Sequence, residues 1–196
     1  MPAWMGQRLV ILLAHEDPAF THGKPYVVIK PGNKFGTGAH ATTRICLAIL
    51  ERILNEEQSV LDVGTGTGIL ALYAARVGAR YVVAIDQDFE ACETCKWNIL
   101  RNTLEKTIHL FNGRANALSY GKLFDIVIAN LELDILIPLI PTMRSHLKPD
   151  GLLVISGVLA SSKDQFTEFL EGSSLKVLSS GTEGDWIGFL ATPSHE

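Results

Sequence analysis

From Ser59 onward, short apolar runs alternate with longer stretches in which apolar positions recur every three or four residues. Val60 to Val63, Tyr81 to Ile85, Thr107 to Phe111, Phe124 to Ala129 and Leu152 to Ile155 read as strands. Helices are predicted near Gly68 to Val77, Phe89 to Leu100, from after Asn130 to about Leu147, and over Ser162 to Leu170. This alternation specifies an α/β fold with a doubly wound, mostly parallel sheet covered by helices on both faces. The central strands are apolar on both sides, as a doubly covered sheet requires. Two last strands, near Leu175 to Leu178 and Trp186 to Leu190, have only Ser179 to Asp185 between them. That is too short for a helical crossover, so an antiparallel C-terminal hairpin is expected. Pro138 and Pro141 are expected to kink the helix after Asn130 or to delay its start.

Ahead of Ser59 the pattern differs. Leu9 to Ala14 and Tyr26 to Ile29 read as two strands joined by a polar loop with Asp17-Pro18 and Gly23. A glycine-rich loop, Pro31 to Gly38, leads into a helix from about Ala41 to Leu54. The division expected is residues 1–38, carrying strands and loop, and 39–196, carrying the main sheet, joined as one compact unit.

The 196 residues are 47% hydrophobic and 19% charged, which suits one globular domain. A net charge of -4 without any basic run argues against a broad cationic surface for nucleic acid. Three cysteines, Cys46, Cys92 and Cys95, do not form a disulfide framework, so a reducing, cytoplasmic setting is expected. No apolar run reaches the roughly 18 residues of a membrane span. No secretion signal is expected at the N-terminus.

The strongest motif is Val60-Leu61-Asp62-Val63-Gly64-Thr65-Gly66-Thr67-Gly68, an apolar strand running into three alternating glycines and then a helix. Glycine lets the backbone turn tightly and approach a ligand, and the helix start offers free N–H groups and a positive dipole end. Dinucleotide sites use G-x-G-x-x-G. Here position 69 is Ile and the spacing is G-x-G-x-G, which favours a nucleoside without a pyrophosphate. Asp86 ends the next strand, where a carboxylate can accept from both ribose hydroxyls, while Asp88 suits a helix cap. The competing reading is a plain strand-to-helix turn, and three glycines with two placed acids outweigh it.

The stretch from Pro31 to Thr43, P-G-N-K-F-G-T-G-A-H-A-T-T, closely resembles the loop of the bacterial ribosomal protein L-eleven methyltransferase family, P-G-x-A-F-G-T-G-x-H-x-T-T. The resemblance runs from about Trp4 to the Trp186 strand. It includes the glycine turn, Asp86, Asn130-Leu131-Glu132-Leu133, Ser156-Gly157 and Asp185-Trp186. It implies a class I, Rossmann-like methyltransferase with a seven-stranded sheet. It also implies S-adenosyl-L-methionine as cofactor, and lysine side chains or an N-terminal amine as methyl acceptors. The partner implied is a protein substrate such as a ribosomal protein, with no membrane and no direct nucleic-acid contact.

By the same resemblance Thr43, Gly64, Gly66, Asp86 and Asn130 contact the cofactor, and Phe35, Gly36 and Thr37 form a lid. Asn130, beside the methyl group, would orient the acceptor amine without a dedicated general base. The sequence departs from the family pattern at Lys34, Ala41, Glu132 and Leu133. The family's N-terminal substrate-gripping domain would precede the first residue here.

Cys92-x-x-Cys95 falls inside a predicted helix with no second pair, so ordinary buried thiols are expected and no metal site. His40 could contact substrate or cofactor, or tie down its own loop. Glu132 could attract a cationic substrate amine, though a solvent-facing residue near a helix start is the favoured reading; Trp186 reads as core packing, with a rim at the substrate mouth as the further possibility. Alternatives carried beside the protein methyltransferase are a small-molecule amine methyltransferase, a nicotinamide oxidoreductase, which the glycine spacing disfavours, and a non-catalytic cofactor-binding module.

Overall fold

Residues 2–31, 38–118 and 123–194 are described in the computed structural model of the chain. Strand β4 (Ser59–Val63) is buried at every position because both its faces are covered. It lies near the middle of a seven-stranded sheet whose other members are β5 (Tyr81–Asp86), β6 (Ile108–Asn112), β7 (Phe124–Asn130), β8 (Leu147–Leu159), β9 (Leu175–Glu183) and β10 (Trp186–Pro193). Their order is β6-β5-β4-β7-β8-β10-β9. Pairings from β6 through β8 are parallel, and β10 runs antiparallel to both β8 and β9. This is the doubly wound sheet with a C-terminal antiparallel hairpin that the sequence predicts.

Successive residues along the strands serve opposite faces. Val60, Val82, Ala84, Ile126, Ile128 and Val154 pack beneath helices α1 (Ala41–Ile53), α2 (Ile69–Arg76) and α3 (Phe89–Arg101). Leu61, Ile85, Val127, Ala129, Leu153 and Ile155 pack against α4 (Leu133–His146) and α5 (Lys163–Gly172). Helix α2 is buried from Ile69 to Ala75. At about 1.5–3 kcal/mol for each large apolar side chain, its Ile69, Leu70 and Leu72 hold the helix start rigidly against the sheet.

The N-terminal strands form a separate three-stranded sheet: β1 (Trp4–Met5), β2 (Val10–Leu13) and β3 (Tyr26–Ile29). β1 is too short for a sequence pattern to reveal. β2 and β3 pair in parallel, and Leu9, Ile11, Val27 and Ile29 join the same core as α1 and α2. Trp4 meets Tyr73 of α2 edge-on, with centroids 5.5 Å apart. The free edge of β3 is completed by α3. Asn102 accepts from the Val28 N–H at 2.8 Å and donates to its carbonyl at 2.7 Å, and Asn98 does the same for Lys30 at 2.7 and 3.1 Å.

The expected delay in the start of the helix after Asn130 is corrected. Helix α4 starts at Leu133, ahead of both prolines, and holds Pro138 and Pro141 within it. Both prolines are exposed, as are Asp134 and Ile137, whose carbonyls lose their i+4 donors. Water can serve those carbonyls, so the helix continues past them.

Candidate functional site

Chain order reverses between β4 and β7: β5 and β6 build out on one side of β4, β7 and β8 on the other. In such sheets the crevice at the strands' carboxyl ends, at this switch point, receives ligands. The sequence-predicted residues Gly64, Gly66, Asp86 and Asn130 all fall on that edge.

Gly64, Gly66 and Gly68 all have positive φ, at 71°, 57° and 83°. Gly66 has the clearest meaning for a ligand. A Cβ there would meet nothing within 4 Å among the described residues, so the left-handed backbone is not packed against any of them. Its N–H donates to Asp86 Oδ2 at 2.9 Å. Asp86 Oδ1 accepts the Asp88 N–H at 2.9 Å, and Asp88 caps α3 through the Glu90 N–H. Each Asp86 oxygen thus spends one acceptor position on backbone and keeps another. The carboxylate is held in place yet can still accept two hydroxyls.

Behind the turn lies Asp62, 1% exposed, accepting the Thr65 hydroxyl at 2.6 Å. Burial pushes its carboxyl up to about 6, against the pull of bonds from Thr65 and the Ala71 N–H, with nearby Asp86 adding to the rise. At the end of β6, Asn112 Nδ2 donates to the Asp86 carbonyl at 3.0 Å. Reading the sequence did not single out Asn112. The rule that marked Asp86 and Asn130, a polar residue at a strand's carboxyl end, also finds it.

On the other side of the switch point, Asn130 ends β7 and Thr43 comes from the first turn of α1. Asn130 Nδ2 donates to Thr43 Oγ1 at 3.3 Å, and among the described residues Asn130 Oδ1 is left as the open acceptor of that amide. The chain then turns at Leu131, whose N–H donates to the Ser156 carbonyl at 3.2 Å. Gly157, with φ of 99°, lies so close that a Cβ there would overlap the Leu131 carbonyl. Only glycine admits the Asn130–Leu131 turn here.

His40 precedes α1 without capping it; its Nδ1 lies 2.8 Å from Thr42 Oγ1. Its ring meets Trp186 edge-on, with centroids 5.2 Å apart. Trp186 is only partly buried, at the start of β10 opposite Leu159 of β8. Arg44 Nε donates to Glu183 at 2.7 Å, tying α1 to the end of β9. Glu132 is exposed, ahead of α4, and caps nothing with its side chain.

Phe35, Gly36, Thr37 and Lys34 lie outside the described residues. Cys92 and Cys95 are buried free thiols in α3, as expected. Among the described residues no group of three or more His, Cys, Asp or Glu is placed to hold a metal.

Comparison with known proteins extends this picture. The profile of the family described as ribosomal protein L11 methyltransferase (PrmA) matches residues 1–193. The ribosomal protein L11 methyltransferase of Symbiobacterium thermophilum is 36% identical over 190 residues, 97% of this chain and 62% of that protein. That of Desulforamulus reducens is 34% identical over 189 residues, 96% of this chain and 61% of that protein. The chain therefore spans about three fifths of these relatives' length. A crystal structure of ribosomal protein L11 methylase from Lactobacillus delbrueckii subsp. bulgaricus superposes with a TM-score of 0.86, at 30% identity and 98% coverage of both chains.

Proposed function

We propose, since this chain belongs to the ribosomal protein L11 methyltransferase family, that it transfers methyl groups from S-adenosyl-L-methionine to protein amino groups. The acceptors in this reading are lysine side chains or an N-terminal amine, and ribosomal protein L11 is the first substrate to test. The observation that carries it is the joint placement of Gly66, Asp86 and Asn130 on one sheet edge, inside the span that matches the family. A cytoplasmic setting follows from that substrate. No helix among the described residues is long and apolar enough to cross a membrane.

The residues fit a nucleoside. Gly66 opens the backbone toward the crevice, and Asp86 keeps two acceptor positions for a ribose. The bound cofactor would supply a methyl group already activated on a positive sulfur. What remains for the protein is to align a neutral amine. Such alignment is worth roughly 7–11 kcal/mol of barrier. A lysine with pKa near 10.4 is neutral in only about four molecules per ten thousand at pH 7. Asn130 Oδ1 meets this need: Thr43 fixes the amide so that the oxygen accepts an amine N–H and aims the lone pair.

The test is transfer of radiolabel from S-adenosyl-L-methionine into a methylation-deficient lysate, separated into ribosomal proteins, other proteins and small molecules. We expect one labelled ribosomal protein, with the label lost in Asn130→Ala. Label confined to small molecules would replace the acceptor class. Cofactor binding without any transfer would leave a binding module.

A further inference from the structure

The glycine turn is supported from behind by a buried amide that the reaction does not use. Asn98, on α3, is fully buried. Its Nδ2 donates to the Thr67 carbonyl at 2.8 Å and to the Lys30 carbonyl at 3.1 Å, while its Oδ1 accepts the Lys30 N–H at 2.7 Å. One side chain thus joins three segments distant in sequence: the end of β3, the last turn of α3, and the turn between Gly66 and Gly68. Asn102, one helical turn later and 6% exposed, serves Val28 alone, and its remaining Nδ2 bond goes to Asn98's own carbonyl at 2.7 Å. The match is geometric. Four helical residues advance about 6 Å and two strand residues about 6.6 Å, so amides at i and i+4 meet alternate residues of β3.

Both asparagines hold β3, but only Asn98 also grips the turn. We propose that Asn98 is a positioning residue for cofactor binding: its amide fixes the Thr67 carbonyl, and through it the backbone that presents Gly66 to the crevice. The inference rests on the cofactor reading given above. A buried carbonyl left without its donor seeks another partner, and in a turn of three positive-φ glycines the backbone is free to rotate toward one. The Gly66 N–H that orients Asp86 lies on the same short segment.

The experiment compares Asn98→Ala with Asn102→Ala in the full chain, measuring S-adenosyl-L-methionine affinity by calorimetry and unfolding temperature separately. Both variants strip buried partners from β3, so both are expected to melt earlier. Only Asn98→Ala should weaken the cofactor, by about tenfold, with Asn102→Ala within about twofold of wild type. Should Asn98→Ala not fold, Asn98→Leu takes its place; it fills nearly the same volume without a charge and has no amide donor for Thr67. Cofactor affinity unchanged in the Asn98 variant, or equally weakened in Asn102→Ala, overturns the inference while leaving the cofactor reading intact. A wild-type protein that binds no cofactor overturns both.

Discussion

Asp62→Asn should change how stability responds to pH, and the structure sets both sign and size. The Asp62 carboxyl is 1% exposed, and burial raises it from 3.8 to about 6. At about 1.36 kcal/mol per pH unit, the folded protein carries about 3 kcal/mol of cost for the charged form. A carboxyl whose folded value is raised binds its proton more tightly when folded. Its favourable contribution is complete below 3.8 and is lost as pH rises through about 6. Asparagine keeps the shape and an acceptor for the Thr65 hydroxyl but has no charge to bury. The assay is urea unfolding of both proteins at constant ionic strength, from about pH 4 to about pH 7.5. Subtracting the two curves cancels every other titrating group. The difference should move in favour of the variant by about 2.4 kcal/mol across that range, and level off above it. A flat difference, or one that moves toward the wild type as pH rises, would refute the reasoning.

Gly157→Ala should cost about 2–4 kcal/mol, because the new Cβ overlaps the Leu131 carbonyl at a φ of 99°; thermal unfolding reads the loss, and an unchanged midpoint would mean the Asn130–Leu131 turn is not built this tightly. Asp86→Asn should weaken S-adenosyl-L-methionine by roughly 10- to 100-fold through loss of charge-assisted bonds, as calorimetry would show. Thr43→Val, which deletes the acceptor of Asn130 Nδ2, should lower turnover about tenfold at saturating cofactor, with Thr43→Ser restoring it. Equal rates in the two Thr43 variants would show that the hydroxyl does not orient Asn130.

The sheet was readable because its strands are buried on both faces, and such strands write uninterrupted apolar runs such as Val60 to Val63. The glycine turn and Asp86 were readable because the chemistry needs those residue types at strand ends. Strand β8 was underestimated: it runs from Leu147 to Leu159, well beyond the apolar run Leu152 to Ile155 that marked it. The prolines of α4 did not delay its start, because their cost depends on whether the freed carbonyls reach water, which only the packing decides. Asn98 and Asn102 look like ordinary polar positions of an amphipathic helix. Their meaning appears only when β3, about seventy residues earlier, is laid alongside them. Likewise nothing in the sequence tells that Trp186 meets His40, because the pair forms only after β10 has been placed beside β8.

That placement of β10 also sets an order of assembly during synthesis. β10 follows β9 in the chain yet lies between β8 and β9 in the sheet. A nascent chain emerging N-terminus first can pair β4, β5 and β6 and close the Gly66–Asp86 bond well before Trp186 leaves the ribosome. Until β10 inserts, β8 presents an open edge on the side that will carry His40 and Trp186. The half of the crevice suited to a nucleoside is therefore complete on the growing chain while the side of the sheet that carries those two rings is still waiting for its last strand.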